Sequence, residues 1–219
     1  MSIRVCIFDL DGTLLNTLDG IAAHINAVFA EDGIAPLEVD FVREILGYGA
    51  RQLISRACEA RGITDKERVD DIFIRYNRRY DADLYYMVTP YPGIERLLSE
   101  LSARGIKLAV LSNKPDGAVK NMVEHFFPGR FDLVLGGRDG IALKPSADGA
   151  LEILKELGKD ASECAFIGDG ETDVITARNL TDALPIAVLW GFRGREELSL
   201  AGAEHFAACA DDILTIIGG

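Results

Sequence analysis

The stretch Val5-Cys6-Ile7-Phe8-Asp9-Leu10-Asp11-Gly12-Thr13-Leu14-Leu15 runs from apolar, strand-forming residues straight into Asp-Leu-Asp-Gly. Val, Ile and Phe favour extended backbone, and the glycine frees the chain to turn. Side chains two apart on an extended segment point the same way, so Asp9 and Asp11 face one small volume at a strand's carboxyl end. Open α/β sheets place their ligands there. Like charges held that close need a cation between them or a shared proton. The pair therefore predicts a metal site with a carboxylate free to react. A calcium loop counted from Asp9 fails on spacing, because the glycine due at the sixth place comes fourth, at Gly12, and Gly20 stands where the twelfth needs Glu.

Outward from this stretch, the chain repeats one pattern. Ser112-Asn113 closes the apolar run 106–111, and the short run 164–167 ends in Gly168-Asp169-Gly170-Glu171-Thr172-Asp173. A lone Lys144 precedes Pro145 in a glycine-rich connection. From Pro90 onward strand-like and helical segments alternate. Ile94, Leu97, Leu98 and Leu101 make a helical face begun at Pro92 and stopped at Gly105. Strands follow at 106–111, around 133–135, at 164–167 and at 186–189. Helices run through Val119, Met122, Val123 and Phe126, and through Leu151, Leu154 and Leu157 up to Gly158. Repeated βα units imply a Rossmann-like parallel sheet with helices on both faces.

Residues 16–88 break that rhythm. Ile21, Ala22, Ile25, Val28 and Phe29 form one helical stripe; Leu53, Ile54, Ala57 and Cys58 a second; Val69, Ile72, Phe73, Tyr76 and Tyr80 a third. Each stripe reads as core packing. The predicted organisation is α/β: a core domain of residues 1–15 and 89–219, plus an inserted all-helical domain at 16–88.

Composition narrows the partners. Among 219 residues, 48% are apolar, enough for a sizeable core, and the formal net charge is −12. Phosphate backbones and anionic membranes are bound by clustered Lys and Arg, so neither nucleic acid nor membrane is an expected partner. No apolar run approaches the ~20 residues that span a bilayer. The amino terminus lacks the basic-then-apolar pattern of a secretory leader. Cys6, Cys58, Cys164 and Cys209 are scattered without a CxxC, which fits buried thiols in a reducing, cytoplasmic compartment. His24, His125 and His205 lie far apart, against a Ser-His-Asp or zinc reading. Gly47-Tyr48-Gly49 follows no strand and is no dinucleotide fingerprint.

A DxD, a Ser-Asn, a Lys-Pro and a GDxxxD in this order make the chain resemble the haloacid dehalogenase-like (HAD) superfamily of phosphotransferases over essentially its whole length. The resemblance implies a Mg2+-dependent enzyme with a helical cap at 16–88 that closes over substrate and excludes water. It assigns Asp9 as the nucleophile that forms an aspartyl-phosphate and Asp11 as general acid and base. The implied metal ligands are Asp9, the carbonyl of Asp11, and Asp169. Asp173 would hold a metal-bound water or orient Lys144. Ser112 and Asn113 would donate to phosphoryl oxygens, Gly12 would permit a close backbone approach, and Lys144 would neutralise the gathering charge. Glu171 reads as a solvated helix-start residue.

The resemblance also implies that an aspartate at position 11 favours phosphate esters, because dehalogenating and phosphonate-cleaving members, whose leaving groups need no such proton donor, lack it. Thr89-Pro90-Tyr91-Pro92-Gly93, Ser112-Asn113-Lys114-Pro115 and Trp190-Gly191-Phe192-Arg193 are similar to phosphoglycolate phosphatases. Lys144-Pro145-Ser146-Ala147 departs from the usual Lys-Pro-Asp/Glu-Pro. Tyr48 and Arg51 are the candidates to reach the leaving group, with Arg43 and Lys114 behind them. The expected partner is a small phosphorylated metabolite, and the expected state a monomer or homodimer. A β-phosphoglucomutase-like phosphotransfer or pyrophosphate hydrolysis is the alternative within enzymes. A non-catalytic phosphometabolite binder is the alternative outside them, although binding alone needs neither a nucleophile nor an acid.

Overall fold

A computed structural model describes residues 2–218. In chain order it contains β1 (Val5–Phe8), β2 (Leu15–Asn16), α1 (Leu18–Glu31), α2 (Val39–Ile45), α3 (Ala50–Glu59), α4 (Lys66–Ala82), β3 (Thr89–Pro90), α5 (Ile94–Ala103) and β4 (Lys107–Pro115). There follow α6 (Asp116–Phe126), β5 (Leu133–Gly137), α7 (Asp148–Leu157), β6 (Cys164–Gly168), α8 (Glu171–Asn179), β7 (Leu184–Val188), α9 (Arg195–Leu200), β8 (His205–Ala207) and α10 (Ala210–Gly218). The chain divides into Met1–Asn16 with Pro90–Gly219, and Thr17–Thr89. No helix among the described residues is long and apolar enough to cross a membrane.

The first unit is an α/β domain on a six-stranded parallel sheet of order β5-β4-β1-β6-β7-β8. Every residue of β1 and β6 is buried, as expected for central strands covered on both faces. Val5, Ile7, Ala109, Leu111, Cys164 and Phe166 pack on one face against Ala150, Ile153 and Leu154 of α7 and Ala177 of α8. The chain leaves β1 first toward β4 and later returns to β6 on its other side. The sheet order therefore reverses at β1, and crevices open at the carboxyl ends of β4, β1 and β6. Phe8 lies beside both Val110 and Ile167, which sets the residues after these strands side by side.

Two elements depart from the sequence expectation. The strand expected to end at Leu111 continues to Pro115, because β4 bulges: Leu111 pairs with Leu135 and Pro115 with Gly137, leaving three residues opposite one. A Cβ on that one, Gly136, would lie 2.7 Å from the Lys114 carbonyl oxygen. The bulge re-aims Ser112, Asn113 and Lys114. Cys209 is exposed, not buried, since it sits in the turn that opens α10, where its N–H donates to Asp212. The other three cysteines are buried free thiols, and burial pushes Cys164 up to about 12.

The second unit is helical. All five residues of the first predicted stripe and all four of the second are buried on α1 and α3; Ile72, Tyr76 and Tyr80 are buried on α4. Each fully buried Ile or Phe here is worth about 1.5–3 kcal/mol. Asp65 caps α4 by accepting from the Arg68 N–H. Arg75 ties α4 to the end of α1, donating to both carboxylate oxygens of Asp32 at 3.1 and 2.7 Å. Arg51 donates to Asp70 and lies over Phe73. Tyr48 lies under Arg56, and Arg43 pairs with Asp40. These are their positions within this unit.

Candidate active site

Asp9 follows β1 directly, its N–H donating to the Ile167 carbonyl at 2.9 Å, and Asp169 follows β6. Asp173 lies on the first turn of α8, where its Oδ2 accepts from the Gly170 N–H. One oxygen from each of Asp9, Asp169 and Asp173 lies within 4.8 Å of the others. Three stretches far apart in sequence thus meet at the reversal of the sheet, because Lys144 joins the two that carry the carboxylates. Its Nζ stands 2.6 Å from Asp173 Oδ1 and 2.8 Å from Asp9 Oδ1, with its side chain only 3% exposed.

A buried ammonium needs fixed partners, and its backbone is fixed as well. Asn113 clamps Lys144 in the manner of a paired strand: Nδ2 donates to the Lys144 carbonyl at 2.9 Å and Oδ1 accepts from its N–H at 2.7 Å. Asn113 thus uses its amide oxygen and one amide N–H to fix the Lys144 backbone, a role beyond the donation to phosphoryl oxygens that the sequence suggests. Ser112 Oγ accepts from the Lys114 N–H at 3.3 Å, which leaves its hydroxyl proton to donate. Lys114 Nζ meets both oxygens of Asp11, at 2.8 and 2.9 Å, with its side chain 7% exposed. The side chain of Asp11 is thus tied to an ammonium and stands outside the carboxylate trio. Glu171 is not simply solvated, since buried Arg193 donates to it at 3.1–3.2 Å.

Burial pushes the Asp9 carboxyl up to about 7; Lys144 pulls the other way, and Asp173 and Asp11 add to the rise. Asp169 is raised well above the usual carboxylate range, by burial first and then by Asp173 and Asp9. For Lys144 burial favours the neutral amine, but Asp173 and Asp9 outweigh it and hold the ammonium firmly charged. Three carboxylates against one ammonium leave two negative charges, which a divalent cation cancels.

The residues fit such an ion. Buried Asp9 Oδ1 faces the Lys144 ammonium at 2.8 Å and has no other partner, which leaves it able to meet a cation as well. The donor set is all oxygen, which suits a hard cation. Gly12, at φ +85°, lets the backbone pass so near Asp169 that a Cβ would stand 2.2 Å from its Oδ2.

Three residues at this site carry no periodic signal in the sequence: Thr13, Trp190 and Phe192. The Thr13 hydroxyl donates to Asp169 Oδ1 at 3.0 Å, the Phe192 N–H donates to Oδ2 at 2.8 Å, and Trp190 Nε1 donates to the Thr13 carbonyl at 3.0 Å. Only the resemblance of Trp190-Gly191-Phe192-Arg193 to relatives drew attention to the last segment.

Comparison with known proteins identifies the family. Residues 6–181 match the model of the family described as haloacid dehalogenase-like hydrolase. The phosphoglycolate phosphatase of Rhodospirillum rubrum is 34% identical over 220 residues, covering 95% of this chain and 90% of that protein. That of Aquifex aeolicus is 30% identical, covering 86% of each. A crystal structure from Lactobacillus delbrueckii subsp. bulgaricus, provisionally named a phosphoglycolate phosphatase, superposes with a TM-score of 0.92 at 33% identity over 99% of both chains. By this family match and these full-length relatives, the chain belongs to the haloacid dehalogenase-like hydrolase family as a phosphoglycolate phosphatase-like member.

Proposed function

We propose that this enzyme, a phosphoric monoester hydrolase, uses Mg2+ to hydrolyse small phosphate monoesters, 2-phosphoglycolate first, through an aspartyl-phosphate on Asp9. The observation that carries this reading is the meeting of Asp9, Asp169 and Asp173 around Lys144 at the carboxyl ends of β1 and β6. Asp9, Asp169 and Asp173 would hold the ion, together with the Asp11 carbonyl. When bound, Mg2+ supplies positive charge to the phosphoryl oxygens and screens the carboxylates from one another.

The chain's own groups then divide the work. An Asp9 carboxylate oxygen attacks phosphorus as the bond to the leaving oxygen breaks, and Asp11 gives that oxygen a proton. Water next attacks the phosphoryl group, Asp11 takes its proton, and the bond to Asp9 breaks to release phosphate. Asp11 reaches the leaving oxygen only when Lys114 lets go of it; the substrate's own carboxylate is a fitting replacement partner for that ammonium. Ser112 donates its hydroxyl to a phosphoryl oxygen, and Lys144 balances charge there. In this reading residues 16–88 serve as the cap, and Tyr48 and Arg51 are its candidates to reach the leaving group. Four free thiols suit a cytoplasmic enzyme, working as a monomer or homodimer.

The test is phosphate release by the purified protein from a panel of small phosphate esters. The reading expects 2-phosphoglycolate to be preferred, and expects turnover to vanish on chelation and in Asp9→Asn. Isomerised sugar phosphate without released phosphate would favour a mutase. No turnover of any ester by protein with bound metal would favour a binder.

A further inference from the structure

Asp169 is held in a closed circuit that reaches across three segments of the α/β unit. The loop after β7 closes it at both ends. Phe192 gives its N–H to Asp169 Oδ2, and the Trp190 indole gives its N–H to the Thr13 carbonyl, while the Thr13 hydroxyl completes the ring at Asp169 Oδ1. Between the two donors, Gly191 lies so close that a Cβ would stand 2.2 Å from Asp169 Cβ and 2.5 Å from the Gly12 carbonyl oxygen. Thr13 is fully buried and Asp169 is 3% exposed, so bulk water has little access to replace either bond. A carboxylate with a hydrogen bond on each oxygen and backbone against its Cβ has one orientation left. Asp173 is also held on both oxygens, Oδ1 accepting from Lys144 Nζ and Oδ2 from the Gly170 N–H, but only Asp169 is held by the loop after β7; Asp9 Oδ1 meets Lys144 alone.

We infer that Trp190-Gly191-Phe192 is the positioning element for the metal: it aims Asp169, directly through Phe192 and Gly191 and indirectly through Trp190 and Thr13, and so sets the affinity for the divalent ion. This rests on the reading of Asp169 as a metal ligand and adds residues of a loop whose bonds reach Asp169 and Thr13. Outer partners of metal ligands commonly change metal affinity by 10–100-fold when removed. The hydrogen bonds predict the order of effects. Trp190→Phe, two bonds removed from Asp169, weakens affinity least. Thr13→Val removes one donor to the carboxylate and weakens it about 10-fold or more. Gly191→Ala pushes a methyl group against Asp169 and weakens it most.

The experiment is calorimetric titration of Mg2+ into the chelator-treated full chain, for wild type and the three variants, with thermal unfolding of each in chelator. The inference expects Mg2+ affinity to fall in the order given while the metal-free melting temperatures of Trp190→Phe and Thr13→Val stay near wild type. At saturating Mg2+, the KM for phosphate ester should be close to wild type in those two. If Gly191→Ala does not fold, the other two decide the matter. Wild-type affinity in both Trp190→Phe and Thr13→Val would overturn it, as would an affinity loss matched by an equal loss of metal-free stability. Wild type that binds Mg2+ without hydrolysing phosphate esters would sink the proposed function and leave the positioning role standing. Wild type that binds no divalent ion would sink both.

Discussion

Replacing Lys144 by Met removes the only ammonium in contact with both Asp9 and Asp173 among the described residues, and leaves its volume largely filled. Its side chain is 3% exposed, and so is that of Asp173, so water screens the pair poorly. Breaking a buried pair by removing one partner costs about 3–5 kcal/mol, because the surviving charge stays behind without compensation. The trio then carries three carboxylates with nothing to balance them. In chelator, Lys144→Met should lose about 3–5 kcal/mol, which lowers the melting temperature by roughly 2–4 °C for each kcal/mol in a chain of this size. A divalent ion restores part of the missing positive charge, so saturating Mg2+ should shrink the deficit. Asp173→Asn in the same chain should also recover stability, since it removes one of the stranded charges. Thermal and urea unfolding of the single and double variants, with and without Mg2+, would measure this. A deficit under about 1 kcal/mol in chelator, at the level of a surface pair, would refute the buried pairing. So would a double variant less stable than the single.

Other perturbations separate the remaining roles. Asp11→Asn should slow hydrolysis of an alkyl phosphate by about 10²–10⁴-fold, yet still release a stoichiometric burst of phenolate from p-nitrophenyl phosphate, whose leaving group needs no proton; stopped-flow absorbance would reveal a missing burst and contradict the acid role. Mg2+ at a hundred times its dissociation constant should stabilise wild type by about 2.7 kcal/mol, and Asp169→Asn should lose most of that gain when melting is compared with and without the ion. In the helical unit, the hydrogen bond from Arg75 holds the Asp32 carboxyl below its usual range. Stability from a depressed carboxyl is present above its unfolded value near pH 3.9 and lost as pH falls through the lower folded one. Arg75→Ala should therefore cost about 1 kcal/mol at neutral pH and nothing in strong acid, as pH-dependent urea unfolding would show; an equal cost at both pH values would point to lost packing instead.

The parts of the site legible in the sequence are those written in local pattern. Asp9 and Asp169 stand where an apolar run stops and the backbone turns, which is a signal of a few residues, and Lys144 is recognisable through its place in an ordered set of motifs. The helical stripes of α1 and α3 are legible for the same reason, since a 3.6-residue period names the buried face. What was not legible depends on partners far along the chain. Asn113 holds a backbone 31 residues away, and Thr13 holds a carboxylate 156 residues away, so neither leaves a periodic trace. Glu171 looked like a free helix-start carboxylate because its partner Arg193 comes from another segment. The longer β4 was hidden by its bulge, which puts Ser112 to Lys114 off the two-residue rhythm that marks a strand.

The central claim is that Asp9 itself attacks phosphorus. The direct measurement is acid quenching of the Mg2+-loaded enzyme during turnover of ³²P-labelled 2-phosphoglycolate, followed by peptide mapping of the label. The account predicts acid-stable, base-labile label on the peptide that carries Asp9, absent in Asp9→Asn. Steady turnover with no label on that peptide, or label on another residue, would contradict it.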